Sequence, residues 1–121
     1  MEESHIREAA DDHQSLYGEM DQILEEREAI SKEIREIDGD MELFDDIQRA
    51  VRGVFKEIWK HCEEDIFIMK MEECEEELWD CGRRNESRLE ERKELLEEKK
   101  RKNFDREDEI REQLWRRENH R

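Results

Sequence analysis

Apolar residues in the first half of the chain fall at Leu16, Met20, Ile23, Ile30, Ile34, Ile37, Met41, Phe44, Ile47, Val51, Val54 and Ile58. Their steps are threes and fours with a single seven. This is the spacing of a helix that buries one stripe, sustained for about six heptads. Gly39 and Gly53 interrupt the composition but not the phase. Each should cost a helix about 1 kcal/mol relative to alanine, which marks a weak point and not a break.

A second seam starts at Phe67 and runs through Met71, Cys74, Leu78 and Cys81, with Leu89, Leu96, Ile110 and Leu114 further on. Asn85, Arg92, Lys99 and Asn103 stand where the period wants an apolar residue. The far end of this second helix is therefore expected to hold a partner poorly, and the best apolar matches should cluster beside the junction of the two seams.

That junction, Lys60-His61-Cys62-Glu63-Glu64-Asp65-Ile66, contains neither Gly nor Pro. Two features still favour a reversal there. The stripe becomes a block, Ile66-Phe67-Ile68-Met69, suited to a helix start packed all round. Asp65 can cap a new helix, with Glu63 and Glu64 beside its positive end.

The reading is an all-α fold: one domain, residues 1–121, forming a long antiparallel two-helix hairpin of coiled-coil type. Helix 1 spans about 5–61, the tip 62–65 and helix 2 about 66–117. Paired residue numbers should sum to roughly 125, so that Ile58 meets Phe67, Val51 meets Cys74, Ile47 meets Leu78 and Ile30 meets Leu96. The rival is one uninterrupted helix in a parallel coiled coil.

Composition sharpens this picture. Of the 121 residues 51% are charged, 33% are hydrophobic and none is proline, while the strong helix formers dominate. One seam between two helices buries too little apolar area to offset the ordering of so many residues. The hairpin is expected to be completed to a bundle, by dimerisation or by a helical partner.

The net charge of -16 is unevenly spread: residues 1–82 carry 9 basic against 27 acidic side chains, residues 83–121 carry 14 against 12. An acidic body argues against nucleic acid as a partner. The basic run within EEKKRKNFDR reads as a solvated helix face or a contact for an acidic partner.

No stretch is long and apolar enough for membrane insertion, and the N-terminus shows no secretory leader. Together with an odd cysteine count, these features place the chain in the cytoplasm, with export without a cleaved signal left open.

Chemistry has little to build on. His61, Cys62, Cys74 and Cys81 are spaced too widely for a zinc site, and Cys74 and Cys81 fall on the apolar seam. The run Glu72-Glu73-Cys74-Glu75-Glu76-Glu77 lacks a calcium loop's Gly and Asp pattern. No phosphate loop, nucleophile elbow or HExxH motif occurs. No catalytic residue, metal or cofactor is expected, and the chain does not read as an enzyme. Trp59, two residues from the chain midpoint, reads as a plug for the tip against Ile66 and Phe67 or as a partner contact. Trp115, beyond the good part of the seam, reads as a partner contact or as simply exposed.

The layout LFDDIQRAVRGVFKEIWK…IFIMKMEECEEEL…RLEERKELLEEKKRKNFDREDEI, covering about residues 40–115, resembles the LXG-toxin-associated α-helical (Lap) targeting proteins of Gram-positive type VII secretion. Those in turn resemble WXG-motif helical hairpins. A Trp late in helix 1, a Phe opening helix 2 and a charged coiled-coil end carry the likeness. The WXG glycine is absent, since His61 stands two residues beyond Trp59.

The resemblance implies a targeting factor that binds the helical LXG domain of a toxin, with room for a second small helical protein. Phe104 and Asp108 match the aromatic-xxx-Asp export signal of some members, as do Tyr17 and Asp21. The expected partner-binding residues are Ile30, Ile34, Ile37, Phe44, Trp59, Leu89, Leu96, Phe104, Asp108 and Trp115. The other class of function is a structural or adaptor homodimer with no toxin client.

Overall fold

The structure is a computed structural model that describes the backbone of residues 2–119 and the side chains of residues 14–119. It contains two α-helices, α1 (Glu2–His61) and α2 (Asp65–Asn119), which pack antiparallel as a helical hairpin. The reversal occupies Cys62, Glu63 and Glu64, where the sequence predicts it. No described residue adopts a positive φ, so the turn forms without the glycine that usually announces one.

Charge at both helix ends suits the backbone dipoles: Lys60 and His61 close α1, and Asp65 opens α2. The Ile68 N–H donates to the Glu64 carbonyl at 3.0 Å. Glu64 is therefore the capping residue and Asp65 the first helical one, a step earlier than expected. The helices form two compact units, one of residues 1–34 with 95–121 and one of residues 35–94.

In the terminal unit the core is Leu16, Ile23 and Ile110, with Met20 and Leu114 against it. Ile110 is wholly buried, and Ile30 and Leu96 are buried as well. The expectation of a weak far end is thus overturned, and the reason is polar. Asn103 is buried in the seam. Its Nδ2 donates to the Ile23 carbonyl at 2.8 Å and its Oδ1 accepts from Arg27 Nε at 2.9 Å.

Arg27 also pairs with the buried Glu107, whose other oxygen accepts from Arg111 Nη2 at 2.8 Å. The Arg27 guanidinium lies 3.8 Å above the Phe104 ring. On the rim Arg106 grips both oxygens of Glu19 at 3.0 and 2.9 Å. A polar side chain is tolerated inside a helical seam when its partners are all supplied, and it then dictates register.

The tip-proximal unit is built differently. Ile37 and Met71 are buried, and Lys93 reaches Asp38 at 2.7 Å. Gly82 is buried against α1. A β-carbon there would strike the end of the Gln48 side chain and lie 3.4 Å from Phe44 Cε1.

Most of the expected tip matches are not made, since Ile47, Ile58, Phe67, Cys74 and Leu78 are exposed. The facing stripe explains this. Residue numbers in contact across the seam sum to between 126, for Phe44 beside Gly82, and 131, for Arg52 with Trp79 and Asp38 with Lys93. On α2 it is Met71 and Gly82 that are buried against α1, and helical spacing then leaves Cys74 and Cys81 on a neighbouring stripe. The apolar block at the start of α2 is not packed all round either, with Ile66 exposed to 73%.

Two outcomes follow for stability. Nothing lies within 4 Å of a β-carbon built on Gly39 or Gly53, so Gly39→Ala and Gly53→Ala should each stabilise the helix by about 0.5–1 kcal/mol, seen as a raised melting temperature. Hydrogen bonds from Arg27 first and Arg111 second, against the opposing effect of burial, lower the Glu107 pKa. A depressed carboxylate contributes stability above its unfolded pKa and loses it as pH falls through the folded one. The stability gap between the wild type and Glu107→Gln, measured by urea denaturation, should therefore be full at neutral pH and close as pH drops below the ordinary carboxylate range.

Candidate partner-binding surface

The tip-proximal unit leaves two faces open, one on each side of its seam. On the first, successive turns of α1 present Leu43, Ile47, Ala50, Val54, Ile58 and His61. The matching turns of α2 present Phe67, Cys74, Cys81 and Asn85, with Met71 buried beneath, while Leu78 reaches into the groove described next. None of these side chains carries a fixed charge, in a chain where half the residues do. Helical spacing puts each set on one stripe. The stripes open on the same side, because Leu43, Ile47, Phe44, Asn85 and Leu89 line one hollow, together with Asp40 at the end of the stripe away from the tip. Val54 and Leu43 are each 59% exposed and Ile47 51%, which makes this an apolar patch with nothing of its own chain to cover it.

The second face is a groove with charged walls. Val51, Phe55, Leu78 and Trp79 line it, Arg52 and Lys56 flank it on α1, and Glu72, Glu75 and Glu76 flank it on α2. Its volume is about 570 Å3, and an adjoining hollow of about 340 Å3 shares Phe55, Lys56 and Glu75 and extends it to Trp59 and Lys60. The Arg52 guanidinium sits 3.9 Å over the Trp79 ring, a contact that holds the aromatic in place. The opposed walls do not close on each other: among the described residues Lys56, Glu72, Glu75 and Glu76 make no ion pair, and Lys60 pairs only with Glu57 of its own helix at 3.4 Å.

The residues expected to bind a partner do not form one surface. Ile30, Ile34, Leu96, Phe104, Asp108 and Trp115 belong to the terminal unit, and Ile37, Phe44, Trp59 and Leu89 to the tip-proximal unit. Ile30, Ile37 and Leu96 are buried between the helices, so no partner reaches them while the hairpin stays closed. Ile34, Phe44 and Leu89 are half-buried, and Phe44 and Leu89 meet in the hollow of the uncharged face.

Phe104 is exposed beside Arg27, Asp108 is exposed, and Trp115 is 64% exposed. Trp59 does not plug the tip. It lines the adjoining hollow with Phe55, Lys56, Lys60 and Glu75. Reading one seam per helix overlooked Val54, Ile58, Phe67 and Leu78 as surface. The signal was present as two uncharged stripes at helical spacing, but a seam and an open face have the same periodicity.

No cluster of His, Cys, Asp or Glu side chains able to hold a metal ion occurs among the described residues. No described helix is long and apolar enough to cross a membrane. Compared with known protein families, with characterised proteins and with solved structures, the chain matches none.

The cysteines report on this surface. Cys74 and Cys81 are exposed and Cys62 is half-buried. Thiol titration of the native protein should show two fast groups, at the rate of an accessible thiol, and one slow one.

Proposed function

We propose that this chain is a non-enzymatic helical adaptor that buries its uncharged face, Leu43 to His61 on α1 and Phe67 to Asn85 on α2, against a helical partner chain. The client that the resemblance implies is the helical LXG domain of a toxin, for which the adaptor serves as targeting factor in type VII secretion.

One observation carries the reading: a chain with a net charge of -16 keeps this face free of fixed charge while leaving its large side chains open to water. Exposed apolar side chains gain about 25 cal/mol per Å2 when covered, and an uncharged centre with a charged rim is the usual anatomy of a protein interface. A helical partner laid along these turns would cover them, as in helix-in-groove recognition.

The test is affinity capture of the protein from its native host, followed by mass spectrometry. Capture of an LXG-domain protein is expected. The variant Ile47→Asp/Val54→Asp, which alters two exposed positions and should keep full helicity by circular dichroism, should lose that protein. The bound partner should also shield Cys74 and Cys81 from alkylation. Recovery of nothing specific, or undiminished capture by a helical double variant, would contradict the proposal.

A further inference from the structure

The charged groove lies on the other side of the seam from the uncharged face, and its walls ask for something different. Lys56 stands across from Glu75, since both line the two adjoining hollows. One turn toward the tip lie Lys60 on α1 and Glu72 on α2. One turn away lies Arg52, level with Trp79 through their ring contact, while Glu76 stands beside Glu75 on the acidic wall. Three basic levels thus run along one wall and two acidic levels, Glu72 and the neighbours Glu75 and Glu76, along the other, over an apolar floor.

We infer that this groove takes a second copy of the chain, placed face to face by a two-fold axis parallel to the helices. That operation lays α1 of one copy over α2 of the other and keeps the tips at the same end. Lys56 then faces Glu75 and Glu76 of the second copy and Lys60 faces its Glu72, while Arg52 lies one turn beyond, within reach of Glu76. A two-fold axis across the helices would instead set basic wall on basic wall and acidic on acidic, at a cost in repulsion. Both surfaces of the complex are the same surface, as a closed symmetric dimer requires.

The floor residues Val51, Phe55 and Trp79 supply the apolar burial, while the walls supply register and direction. Residues 35–94 carry 11 basic and 20 acidic side chains, so the unit as a whole repels its copy. Opposed walls are a means of bringing two such acidic chains together at one place. The uncharged face remains open on both outer sides of the dimer, so this inference does not depend on the identity of any client.

Three variants of the full chain test it by light scattering across micromolar concentrations, with helicity checked by circular dichroism. Arg52→Glu/Lys56→Glu/Lys60→Glu makes both walls acidic, and Glu72→Lys/Glu75→Lys/Glu76→Lys makes both basic. Each alone should be monomeric where the wild type is dimeric, and a one-to-one mixture of the two should restore a mass about twice that of the monomer. The combined six-residue swap exchanges the walls and leaves the net charge unchanged, so it should dimerise like the wild type.

Three results would overturn the inference. One is a wild type that stays monomeric throughout. Another is a dimer untouched by either wall change and lost instead in Ile47→Asp/Val54→Asp, which would put the second copy on the uncharged face. The third is a six-residue swap that stays helical but monomeric.

Discussion

Two helices joined by an apolar seam can slide past each other by a heptad and find nearly the same contacts again, because leucine and isoleucine stripes carry little information about register. In the terminal unit Asn103 removes that freedom. Its amide must meet the Ile23 carbonyl on one side and Arg27 on the other, and Arg27 must meet Glu107. Sliding α2 by one turn would leave a buried amide and a buried carboxylate without their partners. Each such loss costs about 1–3 kcal/mol, more for the charge. The apolar core of Leu16, Ile23 and Ile110 supplies the attraction, and the polar group decides where it acts.

The tip-proximal unit lacks such a polar lock and relies on close approach. Gly82 lets α2 come near Phe44 and Gln48, and the Lys93–Asp38 pair sits on the rim, where an ion pair is worth little. The consequence is a unit that keeps its helices together while leaving many large side chains uncovered. Covering them inside one hairpin is geometrically impossible, since two helices bury only the stripe along their contact. The remaining apolar stripes have to meet another chain or stay in water.

Electrostatics then divides the work between the two open faces. The uncharged face offers area without direction, suited to a partner that supplies its own specificity at the rim. The groove offers direction, because opposite charges line opposite walls. A body of net charge -16 discourages indiscriminate self-association, so an apolar face can remain exposed on it without leading at once to aggregation.

Local chemistry in the sequence determined the helicity, the bounds of both helices to within a few residues, and the place where the chain turns back. Each of these follows from propensity, spacing and end charges acting over a few turns. Only the tertiary structure decided the register, and with it the fate of individual residues. Asn103, legible only as a flaw in the seam, became its lock through a hydrogen bond to a carbonyl 80 residues away. Cys74, Leu78 and Cys81, legible as core, lie exposed because α2 turns the neighbouring stripe, with Met71 and Gly82 on it, toward α1. Periodicity records that a helix has an apolar side. Which stripe of that side meets the other helix is fixed by contacts between residues far apart in the chain, and no local pattern contains them.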